Sequence, residues 1–110
     1  MTISWEDFQK VALVTGTIVE VEDFPEARRP AYILRVDIGN GDIRKSSAQI
    51  THHYSKEELI GKQVICVANF PPKQIGPLMS EILVTGFYDD KGQVVLAVPD
   101  KPVANGLRLG

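Results

Sequence analysis

The sequence has one cysteine, no long apolar segment and no excess of positive charge. A single thiol, Cys66, cannot form an internal disulfide, which fits a protein of the reducing cytoplasm. No apolar run exceeds five residues, so no segment is long enough to cross a bilayer as a helix. The first residues lack a basic stretch followed by an apolar one, so we expect no secretory signal. A net charge of −2 excludes a polycation that holds nucleic acid by bulk charge alone.

The residue patterns of catalytic and metal sites are also missing. Two histidines and one cysteine, without a Cys-x-x-Cys or His-x-x-x-His spacing, do not make a structural zinc site. The serines at 46–47 and the histidines at 52–53 could form a dyad, but no Gly-x-Ser-x-Gly segment accompanies them. Gly39–Gly41 lacks the third glycine of a dinucleotide-binding loop. We therefore predict no catalytic residues, no metal and no cofactor, and we interpret Cys66 as a small core residue.

Basic residues are concentrated in one short stretch. Residues 28–45 carry five arginines and lysines against two aspartates, whereas residues 1–27 carry one lysine against six acidic residues. A local basic stretch within a mildly acidic chain can form an anion-binding patch. The alternative is that these charges only solvate the outer faces of strands, as most surface charges do.

Turn residues and hydrophobic periodicity predict a chain made mainly of short strands. Ser4 with Asp7, and Ser55 with Glu58, have the spacing of capping boxes and predict two short helices. Asn40-Gly41 predicts a tight hairpin because both residues tolerate positive φ. The predicted strands are Leu13–Val21, Tyr32–Ile38, Asp42–Ile50, Gln63–Ala68, Glu81–Tyr88 and Val94–Val98.

Two of these strands carry irregularities. Gly16 lies inside the first strand and suggests a bulge or a sharp bend, as where a barrel strand coils. In the third strand Ile43 has the opposite parity to Ala48 and Ile50. Either a bulge intervenes there or both faces of the strand are partly covered.

The order of three strands, a short helix and two more strands predicts the fold. It favours an all-β protein, a five-stranded OB-fold Greek-key barrel with short helices and a C-terminal extension. An SH3-like barrel is the main competitor, but that fold does not usually place a capped helix between its third and fourth strands. With 110 residues the chain makes a single domain: an N-terminal helix in residues 1–12, the barrel in 13–88 and the extension in 89–110.

An OB barrel binds ligands on its second and third strands and on two loops beside them. Here the loops are Glu22–Pro30 and Asn69–Ser80. Basic side chains can neutralise phosphates, and serine and glutamine can hydrogen-bond sugar or phosphate oxygens. The predicted nucleic-acid contacts are Arg28, Arg29, Arg44, Lys45, Ser46, Ser47, Gln49 and Lys73.

The second loop is apolar, although most loops lie in water. Three prolines stiffen it and Lys73 is its only charged residue. Such a loop needs a cover, which can be its own barrel, a second subunit or a bound peptide. The predicted peptide contacts are Phe24, Phe70, Ile75, Leu78 and Met79, with packing within the chain or across a dimer as the alternative. Phe24 and Phe70 could instead stack on bases or pin their loops to the barrel.

The N-terminal helix has an apolar face that it cannot bury alone. Trp5, Phe8 and Ala12 fall on one side of a helix of one or two turns. That face must pack on the rest of the domain or on a second copy of the chain. We predict Trp5 and Phe8 at a homodimer interface, and packing within one chain remains open.

Several separated segments resemble one known family, in the order expected for it. They are Thr15–Val19, Phe24–Arg28, Ser46–Ile50, Val67–Pro72, Ser80–Glu81 and the tail segment Pro99–Gly106. The chain, from about Phe8 to Leu109, resembles the tRNA-binding-domain family of EMAP II-like OB modules. Within that family it is similar to the small stand-alone bacterial chaperones.

The resemblance implies a cytoplasmic, homodimeric OB protein without catalytic activity. It implies a molecular chaperone, related to protein export, that binds unfolded or precursor polypeptides and has tRNA-binding capacity. The alternative is a stand-alone tRNA-binding protein or a trans-acting RNA-binding module. The resemblance also places Ser46–Ile50 on the ligand face and Asn69–Pro72 at the opening of the second loop.

Two positions depart from the wider tRNA-binding pattern. Phe24 stands where that pattern has a histidine, and the second loop has only Lys73 where the pattern has several basic residues. Both changes remove polar or cationic contacts to RNA and add apolar surface. With the net charge of −2, they favour a weak RNA binder or a peptide binder.

Overall fold

A computed structural model describes all residues, 1–110, of the chain. Two short helices and nine strands follow one another, and no helix is long and apolar enough to span a membrane. In chain order they are α1 (Trp5–Gln9), β1 (Leu13–Asp23), β2 (Tyr32–Asp37), β3 (Ile43–Ala48), α2 (Lys56–Leu59), β4 (Gln63–Val67), β5 (Lys73–Ile75), β6 (Leu78–Ser80), β7 (Leu83–Val84), β8 (Gly86–Tyr88) and β9 (Val94–Leu96).

Five antiparallel strands form the barrel in the order β3-β2-β1-β4-β7. The long strand β1 pairs with β4 along its first half and with β2 along its second half. The first half of β1 also pairs with the C-terminal tail, where the N–H of Leu109 donates to the carbonyl of Leu13 at 2.8 Å. The predicted OB-type barrel, with a capped helix between its third and fourth strands, is confirmed.

The barrel closes between β3 and residues 80–84, a contact that we call the seam. The N–H of Glu81 donates to the carbonyl of Lys45 at 2.8 Å, and the N–H of Lys45 donates to the Glu81 carboxylate at 2.9 Å. The N–H of Ser47 donates to the Ser80 hydroxyl at 3.1 Å. Side chains therefore satisfy strand-edge groups here that a backbone ladder satisfies elsewhere in the barrel.

The local signals at turns and helix ends are confirmed. Both helices have complete capping boxes, from Ser4 to Asp7 and from Ser55 to Glu58. At the β2–β3 hairpin Asn40 has φ 54° and Gly41 has φ 72°, which are the positive values that a tight type I′ turn needs.

The first strand is irregular, but its bulge does not lie at Gly16. The register between β1 and β2 shifts between Ile18 and Glu20, whereas β1 and β4 pair without a shift across Gly16, so the bulge, one of the two alternatives predicted for Gly16, is wrong. Gly16 is needed for close packing instead, because a Cβ there would lie 2.5 Å from Cγ1 of Val36. The glycine thus lets β1 pass directly over the side chain of Val36 on β2.

The parity change in the third strand has a simple explanation. β2 and β3 pair without a register shift, and Ile43 stays 44% exposed on the outer side. Ser46, Ala48 and Ile50 point into the barrel and are buried. The interior also contains Ile18, Leu34, Val36, Leu59, Val64 and Cys66, all of them fully buried.

The predicted second loop contains a hairpin that the sequence analysis missed. β5 and β6 pair through Ile75 and Leu78, and Gly76, at φ 52°, lies in the turn between them. Leu78 packs with Phe24 of the first loop and with Ala31, which directly follows that loop, into a small second core. The two loops therefore support each other on the outer side of the barrel.

Candidate ligand-binding site

An open groove of about 670 Å³ lies between the seam and the β5–β6 hairpin. We call it the apolar groove because hydrophobic and proline side chains form most of its exposed lining. Its lining residues are Ser47, Phe70, Pro71, Pro72, Lys73, Gln74, Ile75, Ser80, Glu81, Ile82 and Leu83.

The walls of the apolar groove are held in place by local structure. Pro71 and Pro72 restrict the backbone after Phe70, whose side chain stays 53% exposed. On the other side, the small core around Phe24 and Leu78 fixes the hairpin that carries Ile75. The apolar surface is thus presented by a stiff frame, which lowers the entropy lost when a ligand binds.

A second groove, of about 950 Å³, lies on the other side of the seam, between the end of β3 and the β8–β9 hairpin. We call it the polar groove. Its lining includes arginine, histidine, tyrosine, glutamine and threonine side chains but no carboxylate. The lining residues are Arg29, Pro30, Ser47, Ala48, Gln49, Ile50, Thr51, His52, Leu83, Val84, Thr85, Gly86, Tyr88, Gly92, Gln93 and Val94.

The β8–β9 wall of the polar groove is tied to the barrel at two points. At the first, the N–H of Leu96 on β9 donates to the Tyr54 hydroxyl at 2.9 Å, and Tyr54 is itself held against β2 because the Tyr32 hydroxyl donates to its carbonyl at 2.8 Å. At the tip, Nε2 of His53 lies 2.7 Å from the Asp89 carboxylate. The hydrogen bond from His53, followed by backbone N–H groups, lowers the pKa of Asp89 below its ordinary value.

The two grooves meet at the seam. Ser47 on β3 and Leu83 on β7 line both of them. An apolar surface and a polar, carboxylate-free surface therefore adjoin on one rim of the barrel. This rim is the part of an OB fold where the second and third strands and the loops beside them meet.

The predicted cationic residues separate into engaged and available groups. Arg44 makes two hydrogen bonds to Asp42, at 2.8 and 3.0 Å, and this contact raises the pKa of its guanidinium. Arg29 lines the polar groove, and Lys73 lines the apolar groove. Arg28 and Lys45 line neither groove. Of these five cationic groups, Arg44 alone forms a salt bridge.

The polar residues predicted on β3 lie on two different faces. Ser47 and Gln49 face the grooves, as expected. Ser46 is 1% exposed and points into the barrel, so its predicted contact with nucleic acid is wrong for this conformation. Alternation along the strand is the reason, because Ser46 has the parity of the buried Ala48.

The predicted peptide contacts also separate. Phe70 and Ile75 line the apolar groove, and Met79 is 41% exposed but lies outside its lining. Phe24 and Leu78 are 4% and 8% exposed, so the prediction that they contact a peptide is corrected. They form the support beneath the hairpin, since each buries its apolar surface against the other loop.

The N-terminal helix keeps much of its apolar face in solvent. Trp5 is 62% exposed, and its ring lies 5.3 Å from that of Phe8, measured between centroids. Together with Gln9, Arg108 and the last two residues they line a small cleft of about 300 Å³. The helix therefore packs only partly on its own chain.

Sequence reasoning missed the residues that the β8–β9 hairpin brings to the polar groove. These residues are Thr85, Tyr88 and Gln93, and the position of His52 on the opposite wall of the groove was also missed. One signal was present, because Phe87 and Tyr88 are adjacent on a strand and must point to opposite faces. At least one of them therefore had to lie outside the core.

The single thiol lies away from both grooves. Cys66 is fully buried, and burial raises its pKa to about 12, so the thiol stays protonated at neutral pH. No three His, Cys, Asp or Glu side chains come together in an arrangement that would hold a metal ion. The grooves thus consist of groups that can contact a ligand through packing and hydrogen bonds.

Comparison with known proteins agrees with this geometry. Residues 13–108 match the family described as "Putative tRNA binding domain". The solved structure of chaperone CsaA from Bacillus anthracis is 42% identical, with a TM-score of 0.93 over the whole of both chains. That of the CsaA chaperone protein from Picrophilus torridus is 45% identical, with a TM-score of 0.90 over 99% of this chain and 100% of the other.

The chain is also similar to one part of larger proteins. It is 36% identical over 107 residues to the methionine–tRNA ligase of Thermococcus onnurineus, an alignment that covers 97% of this chain and 14% of the ligase. The chain thus spans about one seventh of the length of the curated relatives that it matches.

Proposed function

Because the chain belongs to the tRNA-binding-domain family, we propose that it is a non-enzymatic molecular chaperone that binds unfolded or precursor polypeptides and also binds tRNA. It acts in the cytoplasm as a homodimer and keeps polypeptides competent for export. Two likenesses support this proposal, one to the family itself and one to solved CsaA chaperones over the full chain.

The observation that carries the chaperone proposal is the open apolar groove. A concave surface lined mainly by apolar side chains, with a few polar groups beside them, is typical of a ligand-binding site. Phe70 and Ile75 offer apolar contacts, while Ser47 and Glu81 offer polar groups at the floor of the groove. An unfolded segment can bury apolar side chains there without any change in its covalent structure.

The tRNA part of the proposal rests on the cations that no acidic side chain engages. Arg28, Arg29, Lys45 and Lys73 form no salt bridge. Of these, Arg29 lines the polar groove, whose lining has no carboxylate, and Lys73 lines the apolar groove. Phosphate contacts by a few such cations give weak, salt-dependent binding. Phe24 stands where the wider family has a histidine, but its side chain is buried. It therefore supports the loop and does not reach a ligand.

A pair of variants tests the peptide site. Phe70→Ala removes a groove-lining ring, whereas Met79→Ala removes an exposed apolar side chain outside the groove lining. We expect Phe70→Ala to weaken suppression of aggregation of a chemically unfolded client several-fold, and Met79→Ala to leave it near the parent level. Light scattering of the client during refolding measures both.

Equal suppression by the parent and by folded Phe70→Ala would contradict the peptide site. Absence of suppression by the parent chain would contradict the chaperone proposal itself. Circular dichroism of each variant confirms that the fold is retained. Both positions are exposed, so neither change removes a core contact.

A salt titration tests tRNA binding. Arg29→Ala should reduce the slope of log K against log salt by about one, because one phosphate contact is lost. Lys101→Ala, in the exposed C-terminal tail, removes the same charge away from both grooves and should leave the slope nearly unchanged. Absence of tRNA binding at low salt would contradict this part of the proposal.

The dimer proposal rests on the N-terminal helix. Trp5 exposes most of its ring beside Phe8 and the chain's C-terminus. Burying these side chains against a second copy would stabilise the association through apolar area. Light scattering of the parent should give twice the monomer mass, and Trp5→Ser should shift the population toward monomer. A parent chain that is folded and monomeric at micromolar concentration would contradict the proposal.

A further inference from the structure

The polar groove has features that phosphate binding alone does not need. Its volume is about 950 Å³, and its lining carries several neutral hydrogen-bonding side chains and the aromatic ring of Tyr88. Tyr88 is 81% exposed, although an aromatic ring that faces water has no favourable contact of its own. These features correspond to a site for a planar, polar group.

Tyr88 and its neighbour Phe87 make an internal comparison. Both are exposed and both lie on β8, where adjacent side chains point to opposite faces. Only Tyr88 lines the polar groove. The orientation of the β8–β9 hairpin therefore selects one of the two rings for the groove and directs the other away from it.

The remaining lining supplies the polar contacts that a nucleobase needs. Gln49 and Gln93 carry amides that donate and accept, and Thr51 and Thr85 carry hydroxyls with the same capacity. Arg29 lines the same groove and can reach a phosphate. No carboxylate lines the groove, and the nearby Asp89 carboxylate accepts hydrogen bonds from His53 and from the hairpin backbone.

The wall that holds Tyr88 is ordered by contacts made below it. The Leu96–Tyr54 hydrogen bond and the His53–Asp89 pair connect the hairpin to the turn that follows β3. Asp89 also accepts hydrogen bonds from the N–H groups of Lys91 and Gln93 and so fixes the hairpin tip. The ring of Tyr88 is thus carried by a wall that is in place before a ligand arrives.

We propose that the polar groove binds unpaired nucleotides of RNA, with a base stacked on Tyr88, base edges hydrogen-bonded by the glutamines and threonines, and a phosphate held by Arg29. This inference rests on the proposed tRNA binding and names the part of an RNA that the site takes. A paired base in a duplex has its faces and its Watson–Crick edge occupied, so it cannot enter the groove in this way.

Fluorescence anisotropy with three RNA probes tests the proposal on the full chain. The probes are a short oligouridine, a blunt RNA duplex of the same length and a whole tRNA. We expect oligouridine to bind more tightly than the duplex. Tyr88→Ala should weaken oligouridine binding about tenfold, because one stacking contact is lost. Tyr88→Phe should bind like the parent, and so should the matched control Phe87→Ala.

The outcomes separate the inference from the function on which it rests. Equal affinity for oligouridine and duplex, or equal effects of Tyr88→Ala and Phe87→Ala, would overturn the inference while tRNA binding still stands. If tRNA and both other probes fail to bind the parent at low salt, both the inference and the proposed tRNA binding are overturned. Both substituted residues are exposed, and thermal denaturation of each variant shows that the fold is kept.

Discussion

The β1–β2–β3 side of the barrel and the seam are built in different ways. β1 and β2 are joined by an extended backbone ladder from Thr17–Asp37 to Asp23–Tyr32, whereas β7 has only two residues and pairs with β4 alone. At the seam, Ser80 and Glu81 contribute side chains in place of ladder bonds. One side is a continuous sheet, and the other is a junction held at separate points.

Both grooves lie along the seam and not along the continuous sheet. The seam has few ladder bonds, so its strand edges and side chains stay available to a ligand, whereas the strand edges of the continuous sheet are already paired. We therefore expect stability to depend mainly on the continuous sheet and ligand binding mainly on the seam. Substitutions on the two sides should separate these properties.

The largest loss of stability should come from the core of the continuous sheet. Leu34 is fully buried, so Leu34→Ala removes apolar contacts and leaves a cavity. We expect the free energy of unfolding to fall by about 3 kcal/mol, measured by chemical denaturation. Leu83→Ala is the matched control at the seam. Leu83 is 46% exposed, so its loss should change stability little while it weakens binding to both grooves.

A smaller loss is expected where β1 crosses β2. Gly16→Ala places a Cβ against Val36, and the side chain of Val36 or the strand must shift to accept it. Overpacking of this kind costs about 1–3 kcal/mol, which denaturant titration detects. Gly16→Ala with unchanged stability would show that the continuous side is not tightly packed at this crossing.

At the seam the expected loss is about 1–2 kcal/mol. Glu81→Ala leaves the N–H of Lys45 without its acceptor, whereas Glu81→Gln keeps an amide oxygen in the same place. We expect the alanine variant to lose stability and the glutamine variant to keep most of it. Equal losses in the two variants would mean that the charge of Glu81, which both changes remove, and not its hydrogen bond, closes the barrel.

The smallest effect concerns the tip of the β8–β9 hairpin and depends on pH. The pKa of Asp89 is lowered in the folded chain, first by His53, so its contribution to stability is present above the ordinary carboxyl pKa and disappears as the pH falls through the folded value. Asp89→Asn keeps an acceptor for the backbone. Its melting temperature should lie below that of the parent at neutral pH and converge with it in acid. A difference that persists in strong acid would contradict the assignment.

The elements that were predicted correctly have local signals. Asn40-Gly41 determines its turn through positive φ, and the capping boxes require only residues three apart. The interior parity of β3 was also readable, because Ala48 and Ile50 indicate which face is buried. Applied consistently, that parity would have placed Ser46 inside the barrel.

The features that were missed depend on contacts between distant segments. Phe24 and Leu78 are buried only because the two loops pack against each other, which neither loop's composition reveals. The polar groove needs residues from the turn after β3 and from the β8–β9 hairpin, whose relative position follows from the Tyr54 and His53 contacts. A hydrophobic pattern predicts that an apolar loop must pack against another surface. It does not show which of the loop's side chains that contact will bury.

Amide hydrogen exchange followed residue by residue, with and without an unfolded peptide or tRNA, tests most directly whether the seam is the ligand site. We predict that either ligand slows exchange at Lys45, Ser47 and residues 81–83 and leaves the amides of the β1–β2 ladder unchanged. Protection confined to β1 and the C-terminal tail, with no change at the seam, would contradict the account.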